Sequence, residues 1–100
     1  MPQRIIVFWR DIPAQVIIKQ GRTTAKRQLP ERFEQAIDMA AMRAGKRDTD
    51  AYLAEWRKSD PEPIEGEDLE ALASAEAARL ETEYSVEKVK ALIGNGGVTG

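Results

Sequence analysis

The chain has 100 residues, of which 42% are hydrophobic, and a formal net charge of −2. This length fits one small domain. The absence of cysteine and histidine excludes disulfides, thiolate nucleophiles, Cys/His zinc sites and an imidazole base. Catalysis would have to rest on carboxylates, lysine, hydroxyl groups or a metal with oxygen ligands. We predict no enzyme activity, no cofactor and no metal.

The first 28 residues predict a three-stranded antiparallel β-meander. Residues 5–9 form a β-branched and aromatic run that is typical of a central strand. Pro13 favours a turn or a sheet edge, and the strand pattern resumes over 14–19. The dipeptide 20–21, Gln-Gly, is typical of a two-residue hairpin turn. Residues 22–28 are polar on both faces, so we expect an edge strand.

The rest of the chain predicts three to four α-helices after the meander, and therefore an α+β fold. Small apolar residues at helical spacing follow Pro30 as far as Gly45. Asp48 or Thr49 can cap a second, short helix that ends near Lys58. Ser85 can cap a last helix that stops at Gly94. The predicted organisation is a core domain over 1–58, a proline-rich linker over 59–66, acidic helices over 67–94 and a flexible tail over 95–100.

Charge is distributed unevenly along the chain. Residues 4–28 have six basic side chains against Asp11, residues 29–58 have six of each sign, and residues 59–100 have ten acidic against three basic. Opposite charges attract over about 8 Å at physiological salt. The acidic helices therefore either fold back onto the basic meander or extend to a partner, and both alternatives stay open.

The N-terminal residues lack the pattern of a secretory signal. No charged and then apolar region with a small-residue cleavage site is present, and the apolar run over 5–9 is far too short to span a membrane. We therefore expect a cytoplasmic protein without membrane contact.

Three segments carry a family resemblance. Residues 9–16 read Trp-Arg-Asp-Ile-Pro-Ala-Gln-Val, residues 29–40 read Leu-Pro-Glu-Arg-Phe-Glu-Gln-Ala-Ile-Asp-Met-Ala, and residues 50–56 read Asp-Ala-Tyr-Leu-Ala-Glu-Trp. They resemble the small bacterial proteins of the virulence factor domain family. The resemblance covers residues 4–58 and leaves the acidic stretch after Asp60 outside.

This resemblance implies an accessory protein. The family name describes a phenotype, and it brings no catalytic residue or cofactor to this chain. Some members are fused to helical-repeat or scaffold-like modules, and some are encoded beside folate-dependent methyl-transfer enzymes. We therefore predict a non-enzymatic accessory or interaction protein with a protein partner, and a homodimer is the other form of interaction that stays open.

Polar and aromatic residues of the meander and of the second helix are the predicted contacts. Guanidinium groups among them could also hold a phosphate or carboxylate, although a solvated charged rim is the simpler interpretation on a small sheet. The predicted partner-binding residues are Trp9, Arg10, Gln15, Lys19, Arg22 and Trp56.

Nucleic-acid binding is the second functional hypothesis. The basic residues of the meander could pair phosphates, with Phe8 and Trp9 near them to stack bases. Against this, the two aromatic residues belong to the most apolar strand and are more typical of a core. The chain as a whole is acidic, which is unlike most nucleic-acid-binding domains.

Two groups of carboxylates invite a catalytic or metal-binding interpretation. Asp48, Asp50 and Glu55 suggest a metal loop, but they lack the further ligands of a calcium motif, and helix capping explains them more simply. The second group shares one helix face and could serve acid/base chemistry, although a solvated helix face is the simpler interpretation. Its members are Glu31, Glu34 and Asp38.

Overall fold

Strands and helices of the computed structural model form an α+β architecture, as predicted, and the structure describes residues 1–46 and 48–98. The strands are β1 Gln3–Trp9, β2 Ile12–Gln20, β3 Thr23–Gln28, β4 Trp56–Lys58 and β5 Glu62–Pro63. The helices are α1 Glu31–Arg43, α2 Thr49–Ala54, α3 Leu69–Glu83 and α4 Val86–Gly94.

All strand pairings are antiparallel, and the sheet order is β3-β2-β1-β4, with β5 also paired to β1. The predicted meander is therefore confirmed, with β3 at an edge. The sequence did not predict β4 and β5, because it placed the end of the second helix and a linker there. Both strands are too short to show a two-residue period. They form because β1 has an unpaired edge, where Ser59 N–H donates to the Ile6 carbonyl (2.9 Å) and Ser59 Oγ accepts from Ile6 N–H (2.8 Å).

Both hairpin turns differ in detail from the sequence prediction. Pro13 lies inside β2, at a bulge that separates the pairs Val7–Gln15 and Phe8–Pro13, which lets a residue without an N–H enter a central strand. The turn before β2 is Arg10-Asp11, and Arg10 has a φ of 53°. The second turn is Gly21-Arg22, one residue later than predicted, with Gly21 at a φ of 60°.

One apolar core joins the sheet to three helices. Helix α3 packs on β2 and β3, while α1 packs on β2 and on α4. The acidic helix α3 therefore folds back onto the sheet and α4 folds back onto α1, mainly through apolar residues. The core residues of α3 and α4 are Leu69, Ala73, Ala77, Leu80, Val89 and Leu92.

The segment after α4 packs against the first hairpin. Gly96 and Gly97 are buried, and Asp11 N–H donates to the Gly97 carbonyl at 2.8 Å. This part of the predicted tail is thus in contact with the sheet. Residues 99 and 100, which belong to the same prediction, lie outside the described residues.

Candidate functional site

One face of the sheet is turned away from the apolar core. On β1 to β4 its residues alternate with the core positions, and none of them belongs to the core cluster. Cross-strand pairs connect them, for example Ile5 with Ile17 and Ile17 with Lys26. We call this set the open face: Ile5, Val7, Gln15, Ile17, Lys19, Thr24, Lys26, Gln28 and Lys58.

The centre of the open face is aliphatic. Ile17 is only 7% exposed although it is outside the core cluster. A shallow depression of about 200 Å³ over this residue is lined by Ile5 and by the side chains of neighbouring lysines. Lysine stems cover apolar surface in this way while their ammonium groups stay in water. The open face therefore presents an aliphatic centre beneath a cationic rim.

Positive charge on the open face is not balanced by ion pairs among the described residues. Lys19, Lys26 and Lys58 are exposed, and they take part in none of the ion pairs formed within residues 1–46 and 48–98. No open-face position holds a carboxylate. By contrast, Arg4 and Arg57 on the other side of the same strands pair with acidic side chains.

Trp9 and Arg10, two of the predicted contact residues, have structural roles. Trp9 is fully buried; its indole Nε1–H donates to the Tyr52 carbonyl at 2.9 Å, and its ring stacks on Tyr52 with centroids 5.8 Å apart. Arg10 donates to the Gly96 carbonyl at 3.0 Å, and its Nε lies 3.2 Å from a Glu55 carboxylate oxygen. In this fold Trp9 offers no surface to a partner, and Arg10 holds the C-terminal segment to the hairpin.

The structure brings two of the other predicted residues to one surface, since Gln15 and Lys19 lie on the open face. Trp56 pairs with Trp9 at the end of β4 and packs, partly buried, against the core cluster. Arg22 is exposed in the second turn. Sequence reasoning missed Lys58, because its place on the face depends on the unpredicted β4.

A pocket of about 180 Å³ adjoins the open face. Gln28 pairs with Gln15 across β2 and β3 and also lines the pocket, so the two surfaces are continuous. Two aromatic rings meet there edge to face: Tyr52 and Trp56 have centroids 6.0 Å apart and an interplanar angle of 85°. We call this the aromatic pocket; its lining residues are Ala14, Gln28, Leu29, Glu34, Ile37, Asp38, Tyr52 and Trp56.

Two carboxylates lie close to the Tyr52 phenol in the aromatic pocket. Burial raises the pKa of Tyr52 above its usual value of 10.0, and the negative charges of Asp38 and Glu34 raise it further. Of the three carboxylates predicted on one face of α1, these two therefore meet at a cavity. Glu31 does not line this cavity.

The predicted metal-loop residues have other partners or positions. Asp48 is the N-cap residue of α2, without a side-chain capping hydrogen bond. Glu55 forms ion pairs with Arg10 and with Lys46, the latter at 3.7 Å. This arrangement places the Glu55 carboxylate against two cations of the chain itself.

No helix within residues 1–46 and 48–98 is both long and apolar enough to cross a membrane.

A protein-family model described as "Virulence factor" matches residues 7–93. The match includes the acidic helices, so the prediction that the resemblance ends before Asp60 is wrong. Comparison with curated proteins found no match, and comparison with solved structures found none either.

Proposed function

The chain belongs to the virulence factor family, and on that premise we propose that it is a non-enzymatic interaction module whose open face docks an acidic segment of a partner protein. The observation that carries this proposal is the combination, on one sheet face, of an aliphatic centre with three lysines that form no ion pair within residues 1–46 and 48–98. The acidic helix α3 packs on the opposite side of the sheet, against β2 and β3, and α4 packs on α1.

The chemistry of the open face fits a polypeptide with alternating acidic and apolar side chains. Burial of aliphatic side chains against Ile5, Val7 and Ile17 would stabilise the complex by roughly 25 cal/mol per Å² of apolar surface. The lysines would accelerate association and orient the partner, which is the usual effect of complementary charge at an interface.

The same features support a protein partner over a nucleic acid. Proteins that bind single strands stack bases on aromatic side chains, whereas the centre of the open face is aliphatic. Phe8 and Trp9 belong to the first strand, but Trp9 is buried and Phe8 packs against the core. Nucleic-acid binding is therefore the alternative outcome of the test below.

The family resemblance extends the proposal to the identity of the partner. We propose that the partner is a folate-dependent methyl-transfer enzyme, that this enzyme carries the acidic segment, and that the chain acts as its accessory protein. A second copy of this chain is the alternative protein partner. Measurement of the molecular mass in solution distinguishes such a homodimer from binding to a different protein.

A nuclear magnetic resonance titration of the full chain tests the docking surface directly. The probes are a synthetic peptide of alternating Glu and Leu, the same peptide with Lys in place of Glu, and an oligothymidylate of equal charge. We expect the acidic peptide alone to shift the backbone amides of Ile5, Ile17 and Lys26. A stronger effect of the oligothymidylate, or equal effects of both peptides, would overturn the proposal.

A pair of charge-matched variants provides the control. The open-face variant carries Lys19→Glu, Lys26→Glu and Lys58→Glu. The control carries Arg27→Glu, Arg43→Glu and Lys90→Glu, which are exposed positions outside the open face. We expect the first variant to lose the acidic peptide, and to lose the enzyme in affinity capture from the native cell, while the control retains both. Equal losses would mean that net charge alone governs binding.

A further inference from the structure

Glu34 and Asp38 are exposed carboxylates that border the aromatic pocket. Neither carboxylate takes part in an ion pair within the part of the chain that the structure describes. Lys46 borders a neighbouring depression beside Asp38, but its ammonium group pairs with Glu55. Within the part of the chain that the structure describes, the two negative charges beside the aromatic pocket are therefore without an ion-pair partner.

The aromatic walls of the pocket are held in place by the core. The Tyr52 ring stacks on buried Trp9, and the Tyr52 carbonyl accepts the Trp9 indole N–H. Trp56 meets Tyr52 at nearly a right angle and is also fixed through the pairing of β4 with β1. The pocket is therefore preorganised, and its 180 Å³ is many times the roughly 15 Å³ needed to hold one water.

Perpendicular aromatic rings with nearby carboxylates suit a particular class of ligand. The faces of tryptophan and tyrosine attract cations within about 6 Å of the ring centroid, and this attraction is the basis of cages for alkylammonium groups. Carboxylates add charge attraction and accept hydrogen bonds from ammonium or guanidinium N–H groups. Leu29 and Ile37 at the base of the pocket can contact the aliphatic part of such a ligand.

We propose that the aromatic pocket binds an organic cation, an alkylammonium or guanidinium group, against the wall formed by Trp56 and Tyr52, with Glu34 and Asp38 as counter-charges. The site goes beyond the proposed docking function, because it selects the charge opposite to that selected by the lysines of the open face. Binding of the cation does not require the acidic partner, so the two proposals can fail separately.

A titration of the full chain with small cations tests the site. Tetramethylammonium chloride and methylguanidinium chloride are compared with sodium chloride at equal ionic strength, and the indole N–H of Trp56 and the backbone amides of residues 34–38 are followed by nuclear magnetic resonance. We expect saturable shifts with at least one organic cation and none with sodium. The two probes distinguish a quaternary amine from an arginine-like group as the preferred ligand. Identical shifts with sodium would overturn the proposal.

Charge-neutralising variants supply the second measurement. Glu34→Gln combined with Asp38→Asn keeps the side-chain volumes, and we expect it to weaken binding of the organic cation roughly tenfold. The control, Glu31→Gln combined with Glu87→Gln, changes net charge equally at exposed positions outside the pocket and should bind as the unmodified chain does. Unchanged affinity in the first variant would overturn the proposal. The triple lysine variant of the open face should keep the cation site.

Discussion

Gly97 is a residue whose conformation is tightly constrained by its surroundings. It has a φ of 96°, and a Cβ atom at this position would lie 2.8 Å from Cζ3 of Trp9. Its N–H donates to the Leu92 carbonyl at 2.7 Å, and its carbonyl accepts from Asp11 at 2.8 Å. Glycine is required here both for the backbone angle and for the close approach of the indole ring.

We expect Gly97→Ala to lower the free energy of unfolding by about 1–3 kcal/mol, because the backbone angle becomes strained and the new methyl group collides with Trp9. Gly94→Ala is the control. A Cβ at Gly94 would meet nothing within 4 Å, and its φ is not in the left-handed region, so this change should leave stability unchanged or raise it by up to about 1 kcal/mol. Urea unfolding measures both, and equal effects would contradict this account.

Among the elements, α3 shows most clearly how small residues allow close packing. The side of the helix that meets β2 and β3 carries Ala73 and Ala77, which are 0% and 4% exposed. Arg4 of β1 adds a polar contact to the same helix, since its guanidinium donates to the Glu76 carboxylate at 2.9 Å. The alanine content of the helix thus determines how near it lies to the sheet.

Ala73→Leu should destabilise the protein by about 1–3 kcal/mol, because the larger side chain has to displace α3 from the sheet. Ala75→Leu makes the same change at an exposed position of the same helix and should alter stability by no more than about 0.5 kcal/mol. Thermal and urea unfolding of the two variants provide the comparison. A similar loss in both would indicate that helix propensity, and not packing against the sheet, is responsible.

At the scale of the whole molecule, the basic segment 4–28 and the acidic segment that begins at residue 59 are held together mainly by apolar contacts. The core residues of α3 and α4 are buried against the sheet and α1, while the lysines of the open face remain unpaired on the other side. Charge attraction of the acidic helices to the basic strands is carried locally, chiefly by Arg4 with Glu76 and Glu62.

We therefore expect the melting temperature of the full chain to change by only a few degrees between low and high salt. Salt screens exposed charges but leaves apolar burial intact, and the Arg4 pair with Glu76 is largely shielded from solvent. Differential scanning calorimetry in sodium chloride checks this expectation. A large fall in melting temperature at high salt would mean that charge attraction holds α3 on the sheet.

The candidate site could be predicted from the sequence only where it lies on regular strands. Gln15 and Lys19 follow from the alternation in β2, whereas β3 is polar on both faces and only its pairing with β2 places Lys26 on the open face. The aromatic pocket could not be found in this way, because Gln28, Asp38 and Trp56 come from three elements that are distant in sequence. Trp9 and Trp56 look equivalent by residue type, and only their packing distinguishes a core ring from a pocket wall.

Local physical chemistry was sufficient to determine the meander, the N-cap of α4 and the α+β class. A β-branched and aromatic run defines β1, two-residue alternation defines β2, and a turn signal separates β2 from β3. Ser85 Oγ accepts a hydrogen bond from Lys88 N–H as its capping position predicts. Tertiary structure alone decided the rest. The strands β4 and β5 exist because the edge of β1 has backbone groups to pair. Helix α3 returns to the sheet because its small apolar face fits the inner side, and α4 packs on α1. That choice of side leaves the lysines on the open face, a property that no single segment of the sequence contains.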